Sequence, residues 1–369
     1  MQFSCSTGRL IEALQTATKA LATRSVNPIL EGVLIETDSE QLTLTCSDER
    51  ITIITRIPAD VSDPGRGVVP GKLFSEIVRR LPEDTVNIRM NNNFVFSICS
   101  GTARMNISGQ DADLFPRLPQ MEDETEISLP QDMLKSMIQK TEFAIAQEDM
   151  REVLTGALLE ISGGDVTMVA LDGYRLALCR SRCSDVLEKF SAIIPGRALS
   201  EIGKLLSEDE EAFASLSFGG GKLHIRLDET EIYVILIEGE YIQYRTILPK
   251  AFATRVEVDL DAFRRCIDRA ALIAREGSNN LILFEIQGGL MTVEAHSQIG
   301  DVHEEMEVDQ EGADVSIAFN VKYLTDVVRF IEAEHIEINL NNAVSPCVVT
   351  PIGNSDYVHL ILPVRTGGR

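Results

Sequence analysis

The sequence predicts an α+β protein built from three tandem copies of one domain, and two observations carry that prediction. A short segment recurs at a fixed interval: Pro70-Gly71-Lys72 returns as Pro195-Gly196-Arg197 and again as Asn320-Val321-Lys322, 125 residues on each time. Around each occurrence, stretches of helical period alternate with β-branched runs, and each series closes on Leu-Pro, at 118–119, 248–249 and 362–363. An interval this long is a whole domain rather than a solenoid unit. The expected domains are 1–121, 125–249 and 250–369, each with two helices and several mainly antiparallel strands.

The elements follow in order. Ser6 is placed to cap a helix over 7–20, whose apolar positions Leu10, Ile11, Leu14 and Ala17 keep a 3.6-residue period, while Arg9 and Lys19 fall off the stripe. After the breaker Asn27-Pro28, the runs ILEGVLIET, QLTLTCSD and RITIITRI read as strands. A helix over 71–81 ends at Leu81-Pro82, and strands around an Asn91-Asn92-Asn93 turn complete the first copy. The acidic run Glu122-Asp123-Glu124 marks a boundary, after which a helix over 131–145 carries Met133, Leu134, Met137 and Ile138 on its apolar face. The second copy then parallels the first, with Gly156 lying 124 residues after Gly32 and Asp172 lying 124 after Asp48. A helix over 196–206, a Gly219-Gly220-Gly221 hairpin turn, and a third copy with helices over 259–274 and 321–331 complete the chain.

The recurring helix repeats its charges. Lys72, Glu76 and Arg79 correspond to Arg197, Glu201 and Lys204, then to Lys322, Asp326 and Arg329. Two cations seven residues apart share one helical face. The apolar set Leu73, Ile77 and Val78, echoed by Ala198, Ile202, Tyr323, Val327 and Val328, is expected to face the strands. The chain as a whole carries a net charge of −23 over 369 residues, which at first sight speaks against a nucleic-acid partner. The helical stretches nonetheless carry a small cationic surplus, so the acid excess lies elsewhere.

The composition bounds the remaining possibilities. No apolar run approaches the roughly 20 residues of a membrane span, and the start, MQFSCSTGRL, lacks the blocks of a signal peptide, so a cytoplasmic protein is expected. Seven scattered cysteines without a CxxC pair read as reduced core side chains. The five histidines stand singly, Gly219-Gly220-Gly221-Lys222 precedes a strand rather than a helix, and no nucleophile, paired-acid or cofactor motif stands in a supporting context. The expectation is a non-enzyme with no metal and no cofactor. Three like domains joined by like interfaces would close head to tail into a ring, with the repeated cations lining a channel.

NPILEGVLIE (27–36), FAIAQEDMREVL (143–154), VALDGYRLAL (169–178), the PGR and FNVKYL helix starts, and LILPVRT (360–366) together resemble the bacterial DNA sliding clamps, the β subunits of DNA polymerase III, over essentially the whole chain. The resemblance implies three copies of the DNA clamp fold with helices inside and antiparallel sheets outside, and a homodimer that encircles double-stranded DNA without sequence preference. It implies as partners the DNA polymerase III α subunit, the clamp loader and other proteins with clamp-binding motifs. A clamp paralogue acting as a decoy or drug-binding protein is the alternative.

Carried over by motif, the resemblance implies a peptide-binding pocket walled by Leu154, Leu171, Gly173, Tyr174, Arg175, Leu176, Ile242, Thr246, Ile247, Leu360, Ile361, Leu362, Pro363, Val364 and Arg365. Such a cleft would bury the apolar anchors of an extended peptide, with Arg175 fixing its orientation. Tyr174, Ile242 and Thr246 depart from the commoner family residues and make the pocket more apolar. For DNA the resemblance points to Arg24, Glu148 and Arg151, which join Lys72, Arg79, Arg197, Lys204, Lys322 and Arg329. For the dimer joint it points to Leu272 and Ile273 facing Met105 and Ile107 of the other protomer.

Overall fold

A computed structural model describes residues 1–22, 25–117, 121, 125–184, 189–277 and 280–365. Its helices are α1 (Thr7–Ala17), α2 (Gly71–Val78), α3 (Gln131–Thr141), α4 (Gly196–Gly203), the short α5 (Tyr244–Ile247), α6 (Leu260–Ala274) and α7 (Val321–Arg329). Six of the seven fall where the apolar periodicity places them. Three of these ends have side-chain caps: the Ser6 hydroxyl accepts from Arg9 N at 3.5 Å, the Asp259 carboxylate from Ala262 N at 2.7 Å, and the Asn320 side chain from Lys322 N at 3.0 Å. Each satisfies an amide that the helix leaves without a partner.

The backbone gathers into two compact units, Met1–Lys135 with Arg197–Leu236, and Ser136–Gly196 with Ile237–Arg369. The first holds a five-stranded sheet in the order Asp60–Asp63, Gln2–Ser6, Thr85–Met90, Val95–Ser100, Ala103–Ser108. It also holds an eight-stranded sheet: Thr125–Pro130, Phe213–Gly219, Lys222–Leu227, Thr230–Ile235, Ile51–Pro58, Gln41–Ser47, Gly32–Asp38, Gly65–Pro70. The second unit holds a nine-stranded sheet: Lys189–Pro195, Gly156–Ser162, Asp165–Leu171, Arg175–Arg182, Tyr357–Ile361, Cys347–Pro351, His335–Leu340, Thr254–Asp259, Asp309–Gly312. Its four-stranded sheet runs Asp301–Glu307, Leu290–His296, Leu281–Gln287, Val315–Asn320.

The sequence repeats therefore do not each close their own sheet. In the first unit Ile51–Thr55 pairs antiparallel with Val234–Thr230, joining strands of the first and second copies. In the second unit Arg175–Cys179 pairs with Ile361–Tyr357, joining the second and third. Ile51 and Arg175 lie 124 residues apart, and Thr230 and Tyr357 lie 127 apart, so the two junctions are one junction made twice.

The repeated helix is anchored by a column that charge matching overlooks. Phe74, Leu199 and Leu324 are buried in all three copies, and the buried set of α7 (Val321, Leu324, Val327, Val328) keeps the i, i+3, i+6, i+7 spacing of one face. Leu73 departs from expectation, at 50% exposed. It stands one position before Phe74, and a step of about 100° around the axis carries it off the buried stripe. Within the first unit α1 packs on α2, and within the second α6 packs on α7.

Gly220 (φ +55°) and Gly221 (φ +72°) form the expected two-residue hairpin turn between Phe213–Gly219 and Lys222–Leu227, a left-handed pair that favours glycine at both sites. All seven cysteines are free, five of them buried. Among the described residues no helix is long and apolar enough to cross a membrane. Replacing Phe74 with Ala removes a wholly buried ring from α2 and is expected to destabilise the protein by about 3–5 kcal/mol, whereas Leu73→Ala should change stability little; denaturant unfolding of both variants checks the contrast.

Candidate peptide cleft and cationic helix faces

The cleft is built on one hairpin of the second unit. Leu171 pairs with Leu176 across the four-residue turn Asp172-Gly173-Tyr174-Arg175. The Asp172 carboxylate accepts from Tyr174 N at 2.9 Å and from Arg175 N at 3.0 Å, and Gly173 sits at φ +87°, where a side chain would be strained. The loop turns Tyr174 outward, 61% exposed, while Leu176 turns into the core. The C-terminal segment lies alongside, with Arg175 opposite Ile361, Leu176 opposite Leu360, and Leu362 N donating to Tyr174 O at 2.8 Å.

Leu154, Leu171, Leu176 and Leu360 form a continuous apolar cluster with Tyr241, Tyr244 and Val348, and Ile242, Leu248 and Leu362 pack on it. Leu154, Leu171, Leu176, Leu360 and Ile361 are all buried. The exposed surface is instead a rim of Gly173, Tyr174, Thr246, Ile247 and Arg365, with Ile242, Leu362, Pro363 and Val364 half-buried.

Arg175 also differs from expectation. Its side chain is 7% exposed and each guanidinium nitrogen donates inside the protein: Nε to Asp172 at 3.0 Å, and the terminal nitrogens to the Asp326 carboxylate and the Phe143 carbonyl. It lies over the rings of Phe143 (5.4 Å) and Tyr323 (4.8 Å). A buried guanidinium needs such compensation. Tyr323 in turn stacks on Tyr174, centroids 6.2 Å apart at 20°. Burial, with Asp172 next in effect, raises the Tyr323 phenol above its ordinary value. Asp172, Phe143, Tyr323 and Asp326 are thus cleft residues that sequence reasoning did not assign; the one signal was an aromatic at 323 in the repeated column that holds Leu73 and Ala198.

Lys72, Arg79, Arg197, Lys204, Lys322 and Arg329 are all exposed, as the periodicity predicts. Their acids differ. Glu76 meets Arg79 at 3.6 Å and also binds Arg80, Glu201 meets Lys204 at 2.9 Å, but Asp326 is turned to Arg175 and offsets no cation of its own helix. Arg197 pairs with Asp48. Glu148 is exposed, and Arg151 is paired with Asp149 at 3.2 Å, while Arg24 lies outside the described residues. At the proposed joint Leu272 is 67% exposed and Ile273 and Met105 are half-buried, but Ile107 is 8% exposed and already a core residue of its own sheet. Among the described residues no group of three or more His, Cys, Asp or Glu could hold a metal.

Three copies of an antiparallel α+β domain, each presenting a helix with two exposed cations, define the architecture of a DNA clamp. The comparisons agree. Residues 1–119, 128–243 and 245–365 match the N-terminal, central and C-terminal domains of the DNA polymerase III beta subunit. The Staphylococcus aureus beta sliding clamp is 33% identical over 99% of this chain and 100% of its own length. The solved sliding clamp of Bacillus subtilis superposes with a TM-score of 0.95 at 32% identity over 99% of each chain. The clamp of Pseudomonas aeruginosa, solved bound to griselimycin, superposes at 0.93 with 27% identity over 99% of this chain and 100% of that one. The chain belongs to the DNA polymerase III beta subunit family, the bacterial sliding clamps.

Beside the cleft, His359 is wholly buried on the strand Tyr357–Ile361, against Tyr357 (4.2 Å) and Phe143 (5.7 Å), with neither ring nitrogen hydrogen-bonded among the described residues. Burial, and secondly the Arg175 charge, hold its pKa down at about 3 against an ordinary 6.5. Between those values the unfolded chain takes up a proton that the folded chain refuses, so stability falls as pH drops below about 6.5, by at most about 1.4 kcal/mol per pH unit. His359→Phe is expected to flatten that acid limb; urea unfolding at pH 7.5, 6, 5 and 4 measures it.

Proposed function

We propose that this chain is a non-catalytic replicative sliding clamp that works in the cytoplasm: two copies close head to tail into a ring around duplex DNA and tether the DNA polymerase III α subunit and other clamp-binding proteins, a clamp loader opening the ring. On this reading the domains are 1–121, 125–249 and 250–369. No cofactor takes part.

The observation that carries the ring is the pair of vacant sheet edges. The strand Asp301–Glu307 ends the four-stranded sheet and begins 126 residues after Arg175, the strand that makes the second junction. Ala103–Ser108 ends the five-stranded sheet and begins 127 residues before Thr230, the strand that partners the first. They are the two halves of a third junction of the same kind. An unpaired edge is a template for another strand, and in a head-to-tail dimer each half meets its complement in the other protomer, which pairs these two edges and closes the ring. Leu272 and Ile273 lie on α6, which packs on the first of these strands, and supply its apolar contact.

The charge balance supports a ring that encloses DNA. Phosphate contacts strengthen binding steeply and slow movement, so a sliding protein benefits from few of them. Exposed cations at two positions per repeat, partly offset by Glu76 and Glu201, supply a weak field. The cleft supplies the tether, and we assign griselimycin, which the Pseudomonas aeruginosa clamp binds, to the same surface here.

Loaded by a clamp loader, the protein is expected to remain on a closed DNA circle through gel filtration and to leave once the circle is cut by a single restriction enzyme; equal loss from both forms would refute encirclement. Replacing Leu272 and Ile273 with Glu is expected to give folded monomers, because charge buried without a partner at a joint is costly. Sedimentation velocity checks it, and an intact dimer would place the joint elsewhere.

A further inference from the structure

The three copies of the repeated helix treat one acidic position differently. Glu76 binds Arg79 and Arg80, and Glu201 binds Lys204, so in the first two copies the acid serves its own helix. In the third, Asp326 leaves Lys322 and Arg329 alone and reaches the buried Arg175. Arg329 lies instead over Phe330, at 5.2 Å. Around Arg175 the contacts form one chain: Asp326 and Asp172 hold the guanidinium from two sides, the guanidinium lies 4.8 Å over Tyr323, and Tyr323 stacks on the exposed Tyr174. The same Asp172 shapes the loop that carries Tyr174.

We infer that Asp326 is a positioning residue for the peptide cleft: acting through Arg175, it holds the Tyr323–Tyr174 stack as an aromatic platform on which a bound peptide rests an apolar or aromatic side chain. Arg175 serves the platform rather than the ligand, since it is buried and each of its three nitrogens already donates inside the protein, to Asp172, Asp326 and the Phe143 carbonyl. The inference rests on the reading of this surface as the peptide cleft. Aromatic rings give a large contact area at little conformational cost, and a platform fixed before binding avoids the entropy of ordering it afterwards. With Asp326 removed, Arg175 keeps Asp172 and the Phe143 carbonyl, so the protein should still fold; what is lost is the carboxylate anchor that helps set the plane of the guanidinium against Tyr323.

The probe is griselimycin, titrated calorimetrically into the full-length protein. Wild type binds; Tyr174→Ala and Asp326→Ala each weaken binding by about 3- to 10-fold, the range of an aromatic contact. The double variant is no weaker than Tyr174→Ala alone, because both changes remove the same platform. Asp326→Glu recovers most of the affinity, and the melting temperature of Asp326→Ala stays within a few degrees of wild type. Additive losses, wild-type affinity in Asp326→Ala, no recovery with Glu, or a loss of affinity only in step with a collapse in melting temperature each overturns the positioning role. A wild-type protein that does not bind griselimycin overturns the cleft reading itself, and this inference with it.

Discussion

Everything in this molecule is set by the burial of one apolar column, Phe74, Leu199 and Leu324, at the same point of a helix made three times. Sinking that column fixes the rotation of each helix about its axis. Positions two before and five after it are then carried to the exposed side, and those are the positions of the six cations. No separate interaction is needed to present the charge: the apolar transfer term, about 25 cal/mol per Å² of buried surface, far exceeds what any exposed ion pair contributes. The charge display is a by-product of packing, which is why it survives changes from Lys to Arg between copies.

The same economy governs assembly. A strand that pairs across a repeat boundary inside each unit reappears, unpaired, at the two vacant edges. Exposed edges are hazardous in a soluble protein, and a ring that pairs them removes the hazard while creating a hole. Acids on Asp301–Glu307 and the cation Arg104 on the other edge discourage like-with-like pairing and favour the head-to-tail arrangement.

Much of this was legible in the sequence, for physical reasons that can be named. The helices were, because a 3.6-residue stripe reports directly on which face is buried, and the Gly220-Gly221 turn was, because only glycine is comfortable in that backbone region. Leu73 misled because charge matching aligned the copies correctly while apolar character alone does not say which of two adjacent residues points inward. The division of sheets across repeat boundaries was hidden, since pairing between distant strands leaves no trace in local periodicity. Arg175 is the sharpest case. Its sequence position marks it as a cleft residue, but only the fold shows that Asp326, 151 residues away, and the Phe143 carbonyl accept from its terminal nitrogens. Function was legible chiefly through repetition and resemblance.

Enclosure with little grip has a plain signature in the salt dependence of residence time on a closed DNA circle. If linkage holds the ring in place, its lifetime on a nicked circular plasmid should change less than about twofold between 50 and 200 mM salt, whereas a protein held by 6–10 phosphate contacts would lose about 10³- to 10⁵-fold in affinity over that range. A lifetime that collapses across it would show that this clamp grips its DNA rather than merely enclosing it.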